Sequence, residues 1–482
     1  MSSNADLRSS SDLPPGWVWT TLGEIAELVG GGTPSRTTPD FFTGDIVWLT
    51  PTEIPKDRIS VVSHSKERIT AEGLRKSSAR LVPKGTVLMT SRASIGFVAI
   101  AGTAVTTNQG FANFICEEGV YNFYLAYWLW ASADFFEQQA TGTTFKEIIK
   151  SKLRSFALPL PPLPEQRRIV AEIEKQFTRL DAGVVALKRV QANLKRYRAS
   201  VLKAACEGRL APQNPSDGPA HRLLARILSE RRSKWEAEHP GKKYVEPAAP
   251  VTDGLPELPV GWCWARIGGI FDVPIGGTPS RSKAEYWGGD NLWVSSGEVA
   301  FNRIRSTREQ ITRTGLNNSN AKLHPPGTVL LAMIGEGKTR GQAAILEAAA
   351  TTNQNIASLL VSETQILPEW IFYWLQSRYE ETRKSGSGGM QYALNSGRIK
   401  DFHCPLPPIP EQHRIVAEVE RRLSVVAAME ATVAANLARA GRLRQAVLKR
   451  AFEGRLVAQD ASDEPAEVLL AHIQTARTSV GA

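Results

Sequence analysis

Almost everything in this chain occurs twice, and a chain written as a tandem repeat folds as repeated units rather than around one undivided core. Leu13 to Arg36 reads LPPGWVWTTLGEIAELVGGGTPSR and returns as LPVGWCWARIGGIFDVPIGGTPSR from Leu258 to Arg281, 245 positions later, with GGTPSR unchanged. Trp48 matches Trp293, the TTNQ at Thr106 to Gln109 matches Thr351 to Gln354, and Tyr127-Trp128-Leu129 matches Tyr373-Trp374-Leu375. The strongest echo is PLPPLPEQRRIVAEIE from Pro159 against PLPPIPEQHRIVAEVE from Pro405, identical at 13 of 16 positions. Each copy closes on EGRL, at Glu207 and at Glu453. The order is therefore globe, helix, globe, helix, in a chain of 482 residues that is too long for a single ordinary core.

The globes, 13–158 and 258–404, mix short β-type runs (Asp45 to Thr50, Gly85 to Thr90, Gly327 to Met333) with Gly/Pro/Ser/Asn turns and a helical patch at Tyr124 to Trp130. That pattern predicts a compact α/β or α+β domain without fixing strand order. The segments after them, 159–240 and 405–482, are easier to read. PxPPxPEQ is a stiff lead-in whose last proline suits a first helical turn, so helices are expected from Pro164 and Pro410. Ile173, Leu180, Leu187, Leu194 and Val201 then recur every seven residues, as do Val419, Val426, Val433, Ala440 and Val447 in the second copy. Such heptads predict a coiled coil. A helix of some 43 residues would run about 65 Å, which demands a partner of equal length. Shorter helices are expected at about 220–239 and 465–477, a Pro/Ala/Gly linker at 241–257, and a flexible tail at 1–12.

The net charge of +10 fits a polyanionic partner. Most of it falls on the two long helices, where Pro164 to Gly208 carries ten Lys/Arg against five Asp/Glu and Pro410 to Gly454 eight against five. A solvated helix face is the plain alternative to a rod lying along DNA phosphates. Apolar runs such as Thr328 to Ile334 fall far below the roughly 18 residues of a membrane span, the first twelve residues resemble no secretory signal, and the four cysteines are scattered. A cytoplasmic protein without disulfides or membrane segment is expected.

Catalytic patterns are nearly absent. AMIGEGKT, Ala332 to Thr339, satisfies a loose phosphate-loop pattern with Lys338 as its lysine, but TRGQAAILEAA beyond it reads as a strand where the cradle requires a helix. There is no methyl-donor glycine motif and no metal spacing among the histidines. Pro39-Asp40 with Glu53 and Lys56 is only faintly nuclease-like. Adjacent His403-Cys404 reads as a packing pair.

A globe ending in PLPPLPEQ, running into a long helix that closes on EGRL, all of it duplicated, resembles the specificity subunit of type I restriction-modification systems over about Leu13 to Arg477. The resemblance implies two target recognition domains, two long helices paired antiparallel as a coiled-coil spacer, and a pseudo-two-fold repeat. It also implies a non-catalytic, DNA-reading scaffold that binds no cofactor itself. Double-stranded DNA and two modification (methyltransferase) subunits holding S-adenosylmethionine would be its partners, with two restriction subunits using ATP and Mg. The rival readings are a phosphate-loop ATPase using Lys338 and a coiled-coil scaffold without DNA binding.

A pseudo-two-fold object meets DNA at two sites about 34–36 Å apart or somewhat more, and globes of different sequence should read different half-sites. Segments identical in both copies cannot discriminate two half-sites, so GGTPSR, TTNQ and the tryptophans are expected to be structural or phosphate-positioning. Arg36 and Arg281 are phosphate candidates, with a salt-bridged surface role as the equal alternative. Base readout is expected in divergent windows rich in Arg, Lys, Asn and Gln. These are Lys56 to Arg80, Ser91 to Ser94 and Thr141 to Lys152 in the first globe. In the second they are Asn302 to Asn320, Glu336 to Gln342 and Lys384 to Arg398. The candidate readers are Arg92, Thr144 and Lys146, and Lys338, Arg340 and Gln391.

Overall fold

A computed structural model describes residues 13–142, 146–335, 337–384 and 394–480 of the chain. It divides into two compact units, the first made of 1–188 with 434–482 and the second of 189–433. Each unit therefore holds one globe, the beginning of the long helix that leaves it, and the end of the other long helix.

In the first unit, β1 (Val18–Thr21) pairs antiparallel with β10 (Ala157–Leu160), so the globe closes where its chain enters and leaves. A five-stranded sheet has the order β2-β9-β6-β7-β4, from Ala26–Gly30, Phe111–Cys116, Val87–Thr90, Val98–Ala101 and Ser60–Val62. A three-stranded sheet has the order β5-β3-β8, from Glu67–Ile69, Ile46–Leu49 and Thr106–Thr107. Helix α1 (Asn122–Ala131) is almost wholly apolar, NFYLAYWLWA, and is correspondingly buried nearly all round.

The second unit repeats this plan. The strands β11 (Cys263–Arg266) and β19 (His403–Leu406) close the globe. A three-stranded sheet comprises β14 (Glu309–Ile311), β12 (Trp287–Val294) and β17 (Ala350–Thr352). A four-stranded sheet comprises β13 (Asn302–Ile304), β16 (Ala343–Leu346), β15 (Val329–Ala332) and β18 (Ile356–Leu359). The counterpart of β2 is reduced to a single bridge, Ile275 to Ala357. Pro274 stands where the first copy has Val29, and without an N–H it cannot extend the ladder.

The long helices are Leu163–Cys206 and Ile409–Phe452, each of 44 residues and each starting within a residue of the expected proline. Within each unit they run antiparallel. In the first, Ile169, Ile173 and Phe177 near the start of one share a core with Val447, Leu448 and Ala451 near the end of the other. In the second, Val201, Leu202 and Ala205 share a core with Ile415, Val416 and Val419. Of the heptad positions, Ile173, Leu194, Val201, Val419, Val426, Val433 and Val447 are buried, whereas Leu180 and Leu187 are half-buried. Equivalent arginines brace the pairing: Arg444 binds Asp181 and lies 4.9 Å over the Phe177 ring, while Arg198 meets Glu430 at 3.0 Å.

Helix Ile409–Phe452 contains an 18-residue stretch of mean hydropathy 1.2, enough by length and composition alone to cross a membrane, although no unbroken apolar run is present. Its hydropathy comes from valine and alanine at and beside the heptad seam, with Arg421-Arg422 and Arg442 in the same helix.

The PEQ motif builds the joint between globe and helix. Trp17 Nε1 donates to Glu165 Oε2 at 3.0 Å, and Trp262 Nε1 to Glu411 Oε2 at 2.9 Å. Gln166 donates to the Pro161 carbonyl and accepts from Tyr121 N, as Gln412 does with Pro407 and Leu367 N. The turn after each EGRL closes on the other repeat: Arg168 pairs with Asp463 at 2.7 Å, and Arg414 with Asp217. Burial raises the Glu165 and Glu411 carboxyls above their usual 4.5, opposed by the indole N–H and the neighbouring arginine.

Two outcomes follow from this packing. Ile173→Ala should cost about 2–5 kcal/mol in chemical denaturation, and Leu180→Ala clearly less, because only the first side chain is fully enclosed. A raised carboxyl pKa supports folding below the unfolded value and opposes it as pH rises through the folded one. Glu165→Gln keeps an acceptor for Trp17 without the charge, so its melting temperature should gain on the parent's as pH climbs from about 4.5 to 7. A parent that is the more stable at pH 7 would show that the joint requires the ionised carboxylate.

Candidate nucleic-acid interface

Strands β3 and β8 are parallel, with Trp48 opposite Thr106 and Leu49 opposite Thr107. Ligands gather beyond the carboxyl ends of parallel strands, where loops are free of the ladder. Two loops leave the sheet there, Thr50 to Glu53 and Asn108 to Gly110, joined as Asn108 N donates to Leu49 O at 2.9 Å. GGTPSR packs across them. A Cβ on Gly31 would overlap the Asn108 and Thr107 carbonyls, so only glycine permits the approach, and Thr33 Oγ1 donates to Gln109 Oε1. The β6–β7 hairpin loop joins through Ser91 N to Gly110 O at 2.8 Å. The segment 146–148 joins that loop through Ala93 N to Lys146 O at 2.9 Å and Ile148 N to Ser91 O at 3.0 Å. Ala93 takes φ 62°, a left-handed turn unusual for a residue with a side chain.

The same construction stands in the second unit. β12 and β17 are parallel, and Asn353 N donates to Val294 O at 3.0 Å. Gly276 packs on the Thr352 carbonyl, Thr278 Oγ1 donates to Gln354 Oε1, and Met333 N donates to Asn355 O at 2.9 Å. Here the hairpin is held by side chains: Tyr379 Oη donates to Lys338 O at 2.5 Å and Arg383 Nη2 to Gly337 O at 2.7 Å. Sequence reasoning missed Tyr379 and Arg383, whose i, i+4 spacing on a helical stretch just before the Lys384 to Arg398 window was the available signal.

Two of the three windows in each globe thus converge, through the 146–148 segment and Leu394 N, which donates to Met333 O at 3.1 Å. The third, Lys56 to Arg80, supplies β4, β5 and the short helix Ala71–Arg75. Arg92 lies 3.7 Å from Glu147, and exposed Lys146 lies 3.8 Å from Glu137. Lys338 is exposed at the hairpin tip, and Arg340 Nη2 donates to Arg383 O at 2.9 Å. Thr144 and Gln391 lie outside the described residues.

Arg36 and Arg281 are salt-bridged. Arg36 grips Glu67 with both terminal nitrogens, at 2.5 and 2.8 Å, over Phe42 and Trp48, and Arg281 grips Glu309 over Trp287 and Trp293. The hydrogen bonds raise both guanidinium pKa values and lower those of Glu67 and Glu309. Trp48 and Trp293 donate their indole N–H to Gly32 O and Gly277 O at 2.9 and 3.0 Å.

Glu53, part of the faint nuclease pattern, caps its own turn through Thr50 and accepts from Lys66 N. The segment after Lys338 is strand β16, antiparallel to β15, so no helix follows to form a phosphate cradle. Among the described residues no group of three or more His, Cys, Asp or Glu could hold a metal ion.

The family model described as the type I restriction modification DNA specificity domain matches twice, over residues 14–186 and 259–429. The chain belongs to that family. It is similar to the MjaIX specificity subunit of Methanocaldococcus jannaschii, with 25% identity over 83% of this chain and 84% of that one. The EcoKI specificity subunit of Escherichia coli K12 is 22% identical over 98% of each. Among solved structures, a chain of a type I R-M system studied for complex assembly and conformational transition aligns with a TM-score of 0.65 at 23% identity. It covers 93% of this chain and all of that one. The HsdS subunit of Thermoanaerobacter tengcongensis aligns over the same shares with a TM-score of 0.55 at 21% identity. Members of the specificity family recognise DNA sequence without catalysing a reaction, alongside the other subunits of their complexes, and neither rival reading finds support.

Because Tyr379 and Arg383 hold the second hairpin, Arg383→Ala combined with Tyr379→Phe should speed amide hydrogen exchange at 337–341 while β15 stays protected. Unchanged exchange at the tip would mean that backbone bonds alone hold the loop.

Proposed function

We propose that each globe reads one half of a bipartite, asymmetric DNA target, with base pairs left unread between the halves. The supporting observation is a loop cluster built twice from identical scaffold residues but finished with different side chains. Arg92 and Lys146 at one tip, and Lys338 and Arg340 at the other, have donor geometries that match base edges. Thr144 and Gln391 belong to the same proposal by their place in the sequence. Arg36 and Arg281, each bidentate on a glutamate, are proposed to set loop shape and to reach phosphate only by exchanging that partner.

The chain is further proposed to scaffold two modification subunits that methylate adenine with S-adenosylmethionine, and two restriction subunits using ATP and Mg, in the cytoplasm. Apolar side chains left exposed on the long helices of the second unit, Val425, Met429, Val190 and Tyr197, favour a protein partner there. Residues 13–158 and 258–404 act as separate target recognition domains in this reading, and 159–240 and 405–482 as the spacer.

Exchanging residues 13–158 for the corresponding globe of a relative, followed by methylation mapping of a host genome, tests the proposal. One half of the methylated motif should change while the other half and the spacing persist. Simultaneous change of both halves would overturn modular reading.

A further inference from the structure

Most side chains repeated without change around the loop clusters have an internal use. Gly31 and Gly276 allow close packing, Trp48 and Trp293 hold the following glycine, and Arg36 and Arg281 hold a glutamate. Thr106 and Thr351 donate to the carbonyls of Val47 and Leu292 at 2.8 and 2.9 Å. Asn108 and Asn353 accept from the N–H two residues on, closing the turn.

Gln109 and Gln354 stand apart. Both are exposed, so no core demands a glutamine there. In each the side-chain oxygen accepts from the GGTPSR threonine, which holds the amide by its oxygen and leaves its NH2 without a protein acceptor among the described residues. Retaining an exposed, oriented, unused donor in two globes whose neighbouring loops have diverged is expected of a contact that both globes make alike. The sugar-phosphate backbone is common to any two half-sites, whatever their sequence.

Resting on the DNA-reading function proposed above, we propose that Gln109 and Gln354 are sequence-independent phosphate anchors, donating from Nε2 to a DNA phosphate oxygen beside each reading hairpin. They are positioning residues: the anchor sets the register of the globe on the duplex, and the divergent tips read the bases. An uncharged amide displaces no counterion, so the anchor adds affinity without adding salt dependence.

The test uses the full chain assembled with its modification subunits. Gln109→Met removes the donor, and Gln109→Glu keeps the oxygen that accepts from Thr33 while putting a negative oxygen where phosphate would lie. Gln354→Met and Gln354→Glu do the same in the second globe. A hydrogen bond to a charged group predicts about tenfold weaker DNA binding for either Met variant. The Glu variants should lose more, with an unchanged methylated motif, an unchanged slope of log affinity against log salt for the Met variants, and an unchanged melting temperature for the Glu variants. A changed motif would make these residues base readers, and a lowered melting temperature of the Glu variants with parental affinity would make them structural; either overturns the anchor. A parent complex that binds while all four variants bind equally well overturns the anchor alone. A parent complex that binds no DNA overturns both the anchor and the proposed function.

Discussion

The buried hydrogen bond from a tryptophan indole to the first-turn glutamate of a long helix is the joint on which each unit depends. Trp17 and Trp262 lie just before the first strand of their globes, and Glu165 and Glu411 lie just after the last, so one bond ties chain entry, chain exit and helix start together. A carboxylate removed from water is costly unless hydrogen-bonded, and the indole N–H with the nearby Arg168 or Arg414 offsets part of that cost against the repulsion of Asp463 or Asp217. The flanking glutamine bonds fix the proline lead-in, so the helix leaves its globe in one defined direction.

That joint also explains why each unit draws on both repeats. A 44-residue amphipathic helix exposes a seam its own globe is too small to cover, and the returning end of the other helix covers it. Gly454 packs against Pro14 and Trp17, and Gly208 against Pro259 and Trp262, both glycines at positive φ where a side chain would be strained as well as crowded. EGRL is therefore a fitting surface for the joint.

The loop clusters divide labour in the same economical way. Invariant residues make a frame at the ends of two parallel strands, and variable hairpins are mounted on it. Most of the frame's hydrogen bonds close within it, the NH2 groups of Gln109 and Gln354 excepted, which suits a surface whose tips must differ between globes without altering the scaffold. The hairpins share one backbone bond at the base, from Ile148 N or Leu394 N, but nearer the tip they are held differently, by Ala93 N to Lys146 O in one unit and by Tyr379 and Arg383 in the other. A tip can thus be remodelled while its base stays fixed.

Repetition and period make the architecture readable in the sequence. The offset of 245 marked the two globes, PEQ marked the helix starts, and the seven-residue spacing from Ile173 to Val201 marked the seam, because each is a local pattern with one physical meaning. The family, too, was legible in PLPPxPEQ and EGRL. The globe interiors were not. Strand order depends on pairings between residues far apart, such as Trp48 with Thr106, which local periodicity does not encode. For the same reason the sequence separated Arg92 from Lys146 by more than fifty positions, and only the fold joined their loops. It could not tell Arg36 in an ion pair from Arg36 facing DNA, since that depends on where Glu67 is carried by a neighbouring strand. Nor could it mark Gln109 as different from the rest of TTNQ, because exposure and the direction of an unused amide exist only once the chain has packed.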